Sequence, residues 1–461
     1  MSNKWWALGA VACGTFMATL DSSIVNIALP TLAQEFSSDL PGVKWVVVVY
    51  LIAIACLILP AGRLSDQLGR SKTLVLGFAV FTLGSLLCGI ATRLGALIAF
   101  RLLQGAGAAL LMANGPAVIT AAFPKSERGG ALGTMGMVVS AGLLSGPALG
   151  GLLIGSFGWK SIFLVNIPVG IVGLVLAARF VQQGLSESSR FGFDWKGTIL
   201  QAVILLMFLA AFDPPQVRIQ GLLPFLTELR WITGALVGVL FLVFLRVEAR
   251  AQAPLFDISL LRIRTFWMSN LASFLTFVAY STISVLMPFF LQRALNLSPQ
   301  DSGWMMTAIP LTIFVVAPIS GRLSDRFGTA GLCALGALIG GLTLLVFGGF
   351  LGSGLHAGVK VFPVVVGLCF VGVAIGLFQS PNNSAIMSAV PPDRLGVASA
   401  LLATIRNMGM VVGTGLSTAL FGWRLRADSD FSTAMQFTCS LASTAAFVAA
   451  FVSFMRRERS E

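Results

Sequence analysis

Long stretches without a charged side chain, divided by short polar segments, dominate this sequence. They include residues 73–92, 102–124, 129–159, 265–292, 302–321, 327–359, 361–392 and 431–455. A helix needs about 20 apolar residues to cross the hydrocarbon core of a bilayer, whereas a barrel strand alternates between polar and apolar positions over about 10 residues. The stretches have the length of the helix and lack the alternation of the strand. They predict an all-α, polytopic membrane protein.

Fourteen membrane-spanning helices follow from this pattern. The predicted spans are about 5–33, 44–61, 73–92, 96–122, 131–154, 161–180, 197–212, 231–246, 266–291, 302–320, 329–351, 360–388, 396–422 and 433–455. The seventh and eighth are the shortest, with about 16 apolar residues each, below the usual length of a span. An even number of crossings places both chain ends on one side of the membrane.

The composition agrees with a protein that has little surface in water. Hydrophobic residues make up 56% of the chain and charged residues 10%, and the mean hydropathy is +0.91. Soluble domains carry about 25% charged residues. Most of the exterior must therefore face lipid, and a soluble protein is excluded.

Lysine and arginine are unevenly distributed between the two predicted sides. Nineteen lie on the side of the chain ends and nine on the opposite side. The positive-inside rule places the richer side in the cytoplasm, so both termini are predicted to be cytoplasmic. Topology explains the net charge of +12, and a nucleic-acid partner is not expected. The compact length and short loops favour a bacterial inner membrane.

The sequence contains an internal duplication. Residues 62–69 (GRLSDQLG) return as residues 321–328 (GRLSDRFG), and further matching positions keep their order on both sides of this segment. Each repeat covers six predicted spans, so the seventh and eighth form an inserted hairpin. We expect an N-terminal half at residues 1–182, a connecting segment with the hairpin at 183–250 and a C-terminal half at 251–461.

Three charged residues inside predicted spans, Asp21, Arg101 and Arg406, stand opposite uncharged residues in the other repeat. Ionisable groups at such depth usually mark pathways for ions or substrate. Asp21 and Arg101 lie about 12 and about 8 Å below the same surface, at 1.5 Å per residue. They predict a carboxylate–arginine pair in which loss of the arginine would favour protonation. A static buried pair, or hydrogen bonds of Asp21 to neutral neighbours, is the alternative.

Four segments resemble the motifs of a known family. They are Gly62–Lys72 between the second and third spans, Arg101-x-x-Gln104-Gly105-x-Gly107 in the fourth span, Gly142-x-x-x-Gly146-Pro147-x-x-Gly150-Gly151 in the fifth, and Leu20-Asp21-x-x-Ile24-Val25-Asn26-x-Ala28-Leu29-Pro30 in the first. With the inserted hairpin, the chain resembles major facilitator transporters, and among them the fourteen-span drug:proton antiporters of the EmrB/QacA type. The resemblance implies two parallel six-helix halves and proton-coupled export of hydrophobic or amphipathic small molecules.

The resemblance also implies roles for individual residues. Asp21 and Arg101 would couple transport to protons. The gating loops would comprise Gly62, Asp66, Gly69, Arg70, Asp325 and Arg326, and the antiporter motif Gly146, Pro147, Gly150 and Gly151 would seal the path between the halves. Simpler physical roles stay open, namely positively charged turns for the loops and close packing with a proline bend for the fifth span.

Polar side chains in otherwise apolar spans are the candidates for substrate binding: Asn26, Asn114, Tyr280, Gln379, Asn382, Asn383 and Arg406. Hydrogen bonds between helices are the alternative role for the neutral ones. Arg406 would meet an anionic group of the substrate, stand in for a displaced proton, or bond to carbonyls at a bend near Gly409. Members of the family that the chain resembles often carry carboxylates in this span when they export multivalent organic cations, and this sequence has none there, so the resemblance argues against divalent organic cations as substrates.

Other function classes lack the residues that they need. An ATP-driven pump requires a phosphate-binding loop with a Gly-Lys pair, and the sequence has no such pair. A single histidine, His356, and six cysteines within spans give neither a metal site nor a disulfide framework. We expect no enzyme activity, metal or cofactor, with a small-molecule substrate, protons and membrane lipid as partners. A dedicated exporter of one metabolite, sugar, peptide or siderophore and a passive channel or uniporter stay open, and the sequence neither favours nor opposes a periplasmic adaptor.

Overall fold

A computed structural model describes residues 3–124, 127–181, 195–212, 230–250, 260, 262–352, 357–391, 395–427 and 430–456, and its regular secondary structure there is helical. The helices are α1 Asn3–Glu35, α2 Leu40–Leu68, α3 Arg70–Gly89, α4 Leu94–Ala122, α5 Arg128–Phe157, α6 Ser161–Leu164, α7 Asn166–Phe180, α8 Trp195–Phe212, α9 Arg230–Arg250, α10 Arg264–Phe289, α11 Pro299–Met306, α12 Ala308–Phe327, α13 Thr329–Gly352, α14 Ala357–Ser388, α15 Leu395–Arg426 and α16 Phe431–Phe454. A π-helical turn, Phe290–Ala294, continues α10.

Twelve of the described helical segments are long and apolar enough to cross a membrane. Helices α6 and α7 together form one of these segments, and α11 and α12 form another. The prediction of an all-α, polytopic membrane protein is confirmed. Helices α8 and α9 lie where the sequence predicts the inserted hairpin, and they pack against each other. Helix α8 contains a shorter apolar stretch, Lys196–Phe208, and α9 is not among the twelve.

The duplicated segments adopt the same backbone geometry in both halves. Helix α2 ends before Gly69 and α12 ends before Gly328, and these glycines have φ of +91° and +81°. Each glycine amide donates to the carbonyl oxygen four residues earlier, at 3.0 Å. Only glycine enters this region of φ at little cost, which explains why both repeats hold glycine at this turn.

In the described part of the chain, the two halves meet mainly along three sets of helices. Helix α2 packs on α15, α5 packs on α11 and α12, and α1 contacts α10. Helices α5 and α11 meet near the membrane side opposite the chain ends, which we call the distal side; the side of the chain ends is the terminal side. A Cβ added at Gly151 would lie 2.5 Å from the carbonyl oxygen of Pro299, and one at Gly303 would overlap the carbonyl oxygen of Pro147. Backbone-to-backbone packing therefore closes this contact.

Helix α8 contacts both halves, at α2 and at α15. Its Gln201 Nε2 donates to the carbonyl oxygen of Ala55 at 3.2 Å and lies 3.9 Å from Sδ of Met408. The first helix of the inserted pair therefore covers the line along which α2 and α15 meet.

Candidate functional site

Asp21 of α1 and Arg101 of α4 form an ion pair that is fully enclosed by protein. Neither side chain has exposed surface, and Arg101 Nη1 donates to Asp21 Oδ2. The other carboxylate oxygen accepts from Gln104 Nε2 at 2.8 Å and from Asn166 Nδ2 at 3.2 Å. The structure thus brings together the two residues that the sequence proposes for proton coupling.

Arg101 is also held by α2. Its Nε donates to the carbonyl oxygen of Val46 at 2.9 Å, and its guanidinium carbon lies 4.0 Å from the centre of the Tyr50 ring. The Tyr50 hydroxyl in turn donates to the carbonyl oxygen of Ala18 in α1, at 2.9 Å. Arg101 Nη2 is enclosed and has no hydrogen-bond partner among the described residues. An unsatisfied donor in a dry site adds to the cost of burying the pair.

The local sequence of α4 explains this geometry. Arg101 and Gln104 are three residues apart and therefore share one face of the helix. A Cβ added at Gly105 would lie 2.8 Å from the carbonyl oxygen of Tyr50, and one at Gly107 would lie 2.7 Å from Cα of Phe81. The motif thus combines two polar side chains that contact Asp21 with two glycines that let α4 lie against α2 and α3.

The small residues of α5 pack on α1 in the same half. A Cβ added at Gly146 would overlap Ser23 Oγ, and one at Gly150 would lie 2.8 Å from Cγ1 of Ile24. The adjacent Gly151 contacts α11 of the opposite half, as described above. The antiporter-like motif therefore joins α5 both to the helix that carries Asp21 and to the other half.

A cavity lies between the halves beside this motif. It is lined by Ser23, Asn26, Ile27, Leu143, Pro147, Tyr280, Ser284, Met306, Ile309, Pro310 and Ile313. The cavity volume is about 50 Å³, which is room for only a few water molecules. A drug-sized molecule therefore fits only after the halves separate.

Two predicted substrate-binding residues, Asn26 and Tyr280, line this cavity. Asn26 Nδ2 donates to Ser284 Oγ at 3.0 Å, which joins α1 to α10 across the two halves. Asn26 Oδ1 is enclosed and has no partner among the residues with described positions. Gln292 Nε2 adds a second bond between the halves, to the carbonyl oxygen of Ile27 at 3.0 Å.

Asn114 and Asn382, also predicted to bind substrate, make hydrogen bonds between helices of their own halves. Ser65 Oγ of α2 donates to Asn114 Oδ1. Asn382 Nδ2 donates to the carbonyl oxygen of Ser269 at 3.1 Å, and its Oδ1 accepts from Arg456 at 3.3 Å. Both residues therefore form hydrogen bonds between helices, which is the alternative to substrate binding that the sequence leaves open for neutral polar residues.

Arg406, Gln379 and Asn383 are half-buried, the first on α15 and the others on α14. The guanidinium carbon of Arg406 lies 6.0 Å from the centre of the Phe277 ring.

The residues of the predicted gating loops lie at the ends of α2 and α12 and at the start of α3. Gly62 is half-buried in α2, Gly69 is buried after it, Arg70 begins α3, and Asp325 and Arg326 are exposed at the end of α12. Asp66 lies in α2, but its side chain is outside the described part of the structure.

Tyr50, Gln104 and Asn166 contact the ion pair but are not among the residues predicted for proton coupling. Gln104 belongs to the same fourth-span motif as Arg101, so the motif could have identified it as a neighbour of the ion pair. Tyr50 is one of two tyrosines in the chain, and Asn166 is an amide within a predicted apolar span. Rarity of a polar side chain in such surroundings is the signal that would have found them.

The sequence pattern of the Major Facilitator Superfamily matches residues 11–268 and 269–460. The chain is 34% identical over 455 residues to the riboflavin transporter RibZ of Clostridioides difficile (strain 630), a match that covers 99% of this chain and 96% of RibZ. It is 33% identical over 422 residues to the multidrug resistance protein Stp of Mycobacterium tuberculosis (strain CDC 1551 / Oshkosh), over 90% of this chain and 75% of Stp. It is 30% identical over 421 residues to the tetracenomycin C resistance and export protein of Streptomyces glaucescens, over 91% and 75% of the two chains.

Among solved structures, a crystal structure of a POT family transporter in complex with a thioalcohol-conjugated peptide has a TM-score of 0.72 to this chain. The two share 16% identity over 96% of this chain and 94% of that one, so the likeness supports the fold alone. The superfamily pattern and the curated relatives both extend over most of the sequence. This protein therefore belongs to the Major Facilitator Superfamily, and it is a membrane transporter rather than an enzyme.

Proposed function

We propose that this protein is a proton-coupled exporter of hydrophobic or amphipathic small molecules, of the fourteen-span EmrB/QacA type. The observation that carries the proposal is the enclosed ion pair of Asp21 and Arg101. Burying two charges costs several kcal/mol per ion before their attraction is counted, and a passive channel or uniporter has no need of such a pair. Relatives named as multidrug resistance and export proteins support export of small molecules.

In the proposed mechanism, Asp21 alternates between its ion pair and a protonated state. A proton on Asp21 removes the attraction and leaves Arg101 as a buried guanidinium among neutral acceptors, which a low dielectric penalises. Movement of α1 relative to α4 that brings water to Arg101 relieves this penalty. Because α1 also packs on α5 and contacts α10, the same movement acts on the cavity between the halves.

The proposed topology has fourteen crossings, with α8 and α9 as a membrane-spanning hairpin and both termini in the cytoplasm of a bacterial cell. It keeps the halves at residues 1–182 and 251–461, joined by 183–250. The excess of Lys and Arg on the terminal side supports this orientation. The gating role of the two loops and the sealing role of the fifth-span motif belong to the same proposal, and the contact of Gly151 with Pro299 supports the latter.

A transporter dedicated to one metabolite is the second candidate. It is favoured by the match to RibZ, named as a riboflavin transporter, which extends over 99% of this chain. A flat substrate with polar edges would suit a mostly apolar cavity that carries Asn26, Tyr280 and Ser284.

Purified protein in liposomes with an imposed pH gradient tests both candidates. We expect the gradient to drive accumulation of several compounds from a panel of riboflavin and hydrophobic fluorescent dyes, with a matching proton flux. Asp21→Asn should abolish accumulation while exchange without a gradient persists. Glu35→Gln, which removes an exposed carboxylate from the same helix, is the matched control and should behave as wild type.

Accumulation that is unchanged in Asp21→Asn would refute the proton-coupling role. Transport of riboflavin alone from the panel would favour the dedicated transporter, and substrate flux without proton flux would favour a uniporter or channel.

A further inference from the structure

Arg406 lies deep within α15, about 16 Å from the start of the helix at 1.5 Å per residue. Its guanidinium carbon is 6.0 Å from the centre of the Phe277 ring of α10. That ring meets Tyr280 edge-on, with ring centres 6.3 Å apart and an angle of 89°. Tyr280 lines the cavity between the halves. Phe277 precedes Tyr280 by about one helical turn, or about 5 Å along α10, and it is the ring that connects Arg406 to the residue lining the cavity.

The guanidinium of Arg406 makes no hydrogen bond and no ion pair in the structure as described. Its nitrogens are not among the enclosed polar atoms that lack a partner, so they border open space. The carbonyls near Gly409 do not satisfy it, and Gly409 instead packs on α10, where an added Cβ would lie 2.7 Å from the carbonyl oxygen of Phe274. The N–H donors of Arg406 thus remain available to a further hydrogen-bond acceptor.

Within the described ranges, no carboxylate neutralises this charge. Asp21 is engaged by Arg101 in the other half. The other described acidic side chains lie at or near helix ends: Glu35, Asp39, Glu127, Asp301, Asp325 and Asp430. The region around Phe277 therefore carries a positive charge in surroundings of low dielectric, which attracts anions and repels cations more strongly than water would allow.

We propose that Arg406 binds an acidic group of the transported substrate, so that the protein prefers aromatic anions, planar apolar molecules with a carboxylate or an ionised phenol, to organic cations. The inference rests on the proposed export of amphipathic molecules and names their charge. A guanidinium offers paired donors that match a carboxylate, and the rings of Phe277 and Tyr280 suit a planar body. Asn26 and Ser284 supply further polar contacts beyond them, toward the distal side.

Three probes with one ring system separate charge from shape: anthracene-9-carboxylate, its primary amide and 9-(aminomethyl)anthracene. Their binding to the full chain in lipid nanodiscs is measured by calorimetric titration, with empty nanodiscs as background. We expect wild type to bind the carboxylate most tightly and the amine least. Arg406→Gln should weaken carboxylate binding about tenfold to a hundredfold, the usual worth of a charged hydrogen bond, and leave amide binding unchanged.

Arg424→Gln is the matched control, because Arg424 lies on the same helix and 5.9 Å from the ring of Phe437, near the distal end. It should leave all three affinities unchanged. If Arg406→Gln does not fold, Arg406→Lys carries the test: a single ammonium loses the paired donors, so carboxylate binding should weaken while its advantage over the amine persists.

The proposal is overturned if wild type binds the amine as tightly as the carboxylate, if it binds none of the probes, or if the Arg406 variants match wild type. Binding is measured without a proton gradient. Arg406-dependent carboxylate binding by a protein without proton-coupled transport would therefore contradict the proposed function and leave this inference standing.

Discussion

Gly303 of α11 faces Pro147 of α5 where the halves touch on the distal side, and its replacement by alanine tests whether this contact closes the transporter. The added methyl would overlap the Pro147 carbonyl oxygen and lie 3.1 Å from Cα of Gly151. These are backbone atoms that cannot rotate away. The two helices must therefore separate by about 1 Å to restore an ordinary carbon–oxygen distance.

Overpacking of this kind costs about 1–3 kcal/mol. At about 1.4 kcal/mol per factor of ten, the equilibrium should shift away from the closed distal side by about fivefold to 150-fold. The higher helix propensity of alanine does not offset the shift, because it favours both conformations equally.

The assay uses Ser284→Cys as a reporter in the cavity, in a chain whose six native cysteines have been replaced. We expect Gly303→Ala to speed labelling by a membrane-impermeant maleimide from the distal side. Gly155→Ala is the control, since its added Cβ would lie 3.8 Å from Gln300, an ordinary contact one turn beyond Gly151 on α5. Equal labelling rates in the two variants would refute the reasoning.

Two further predictions concern a turn and a ring. Gly69→Ala forces a non-glycine residue to φ of +91° and should cost about 1–3 kcal/mol, seen as a lower melting temperature in detergent. Gly9→Ala, whose added Cβ meets no atom within 4 Å, should not lower it, and equal losses would contradict the strain argument. Tyr50→Phe keeps the ring over Arg101 and should retain proton-coupled transport, although loss of the bond to Ala18 costs about 1 kcal/mol of stability. Tyr50→Leu removes the ring as well and should reduce proton flux in liposomes; indistinguishable fluxes in the two variants would exclude a role for the ring.

The helix positions could be predicted from the sequence because they follow from the apolar composition of each span. The ion pair could be predicted because both charged residues lie at a similar depth in the membrane. A charge in an apolar span is conspicuous, and counting residues from the span ends placed Asp21 and Arg101 at similar depth. An amide in an apolar span marks Asn166 as a candidate, but its contact with the pair required the structure, because a neutral polar side chain can satisfy its hydrogen bonds on many other helices.

The roles of neutral polar residues were harder to predict for a related reason. Asn26 and Asn114 look alike in sequence, each an amide in an apolar span. The structure places Asn26 at the cavity and Asn114 against Ser65, within one half. The direction in which each amide faces depends on the rotation of its helix about the helix axis. Because these helices are apolar on almost every face, the sequence pattern does not specify that rotation.

Helix α2 makes direct contact both with the buried Arg101 and with the boundary between the halves. The carbonyl oxygen of Val46 accepts from Arg101, and the carbonyl oxygen of Ala55, nine residues further along, accepts from Gln201 of α8. A change in the hydrogen bond between Arg101 and the Val46 carbonyl can therefore be transmitted to the boundary along a single helix, without passing through any loop. Communication between proton and substrate should accordingly tolerate changes in loop length, and it should be sensitive to any substitution that bends α2 between these two carbonyls.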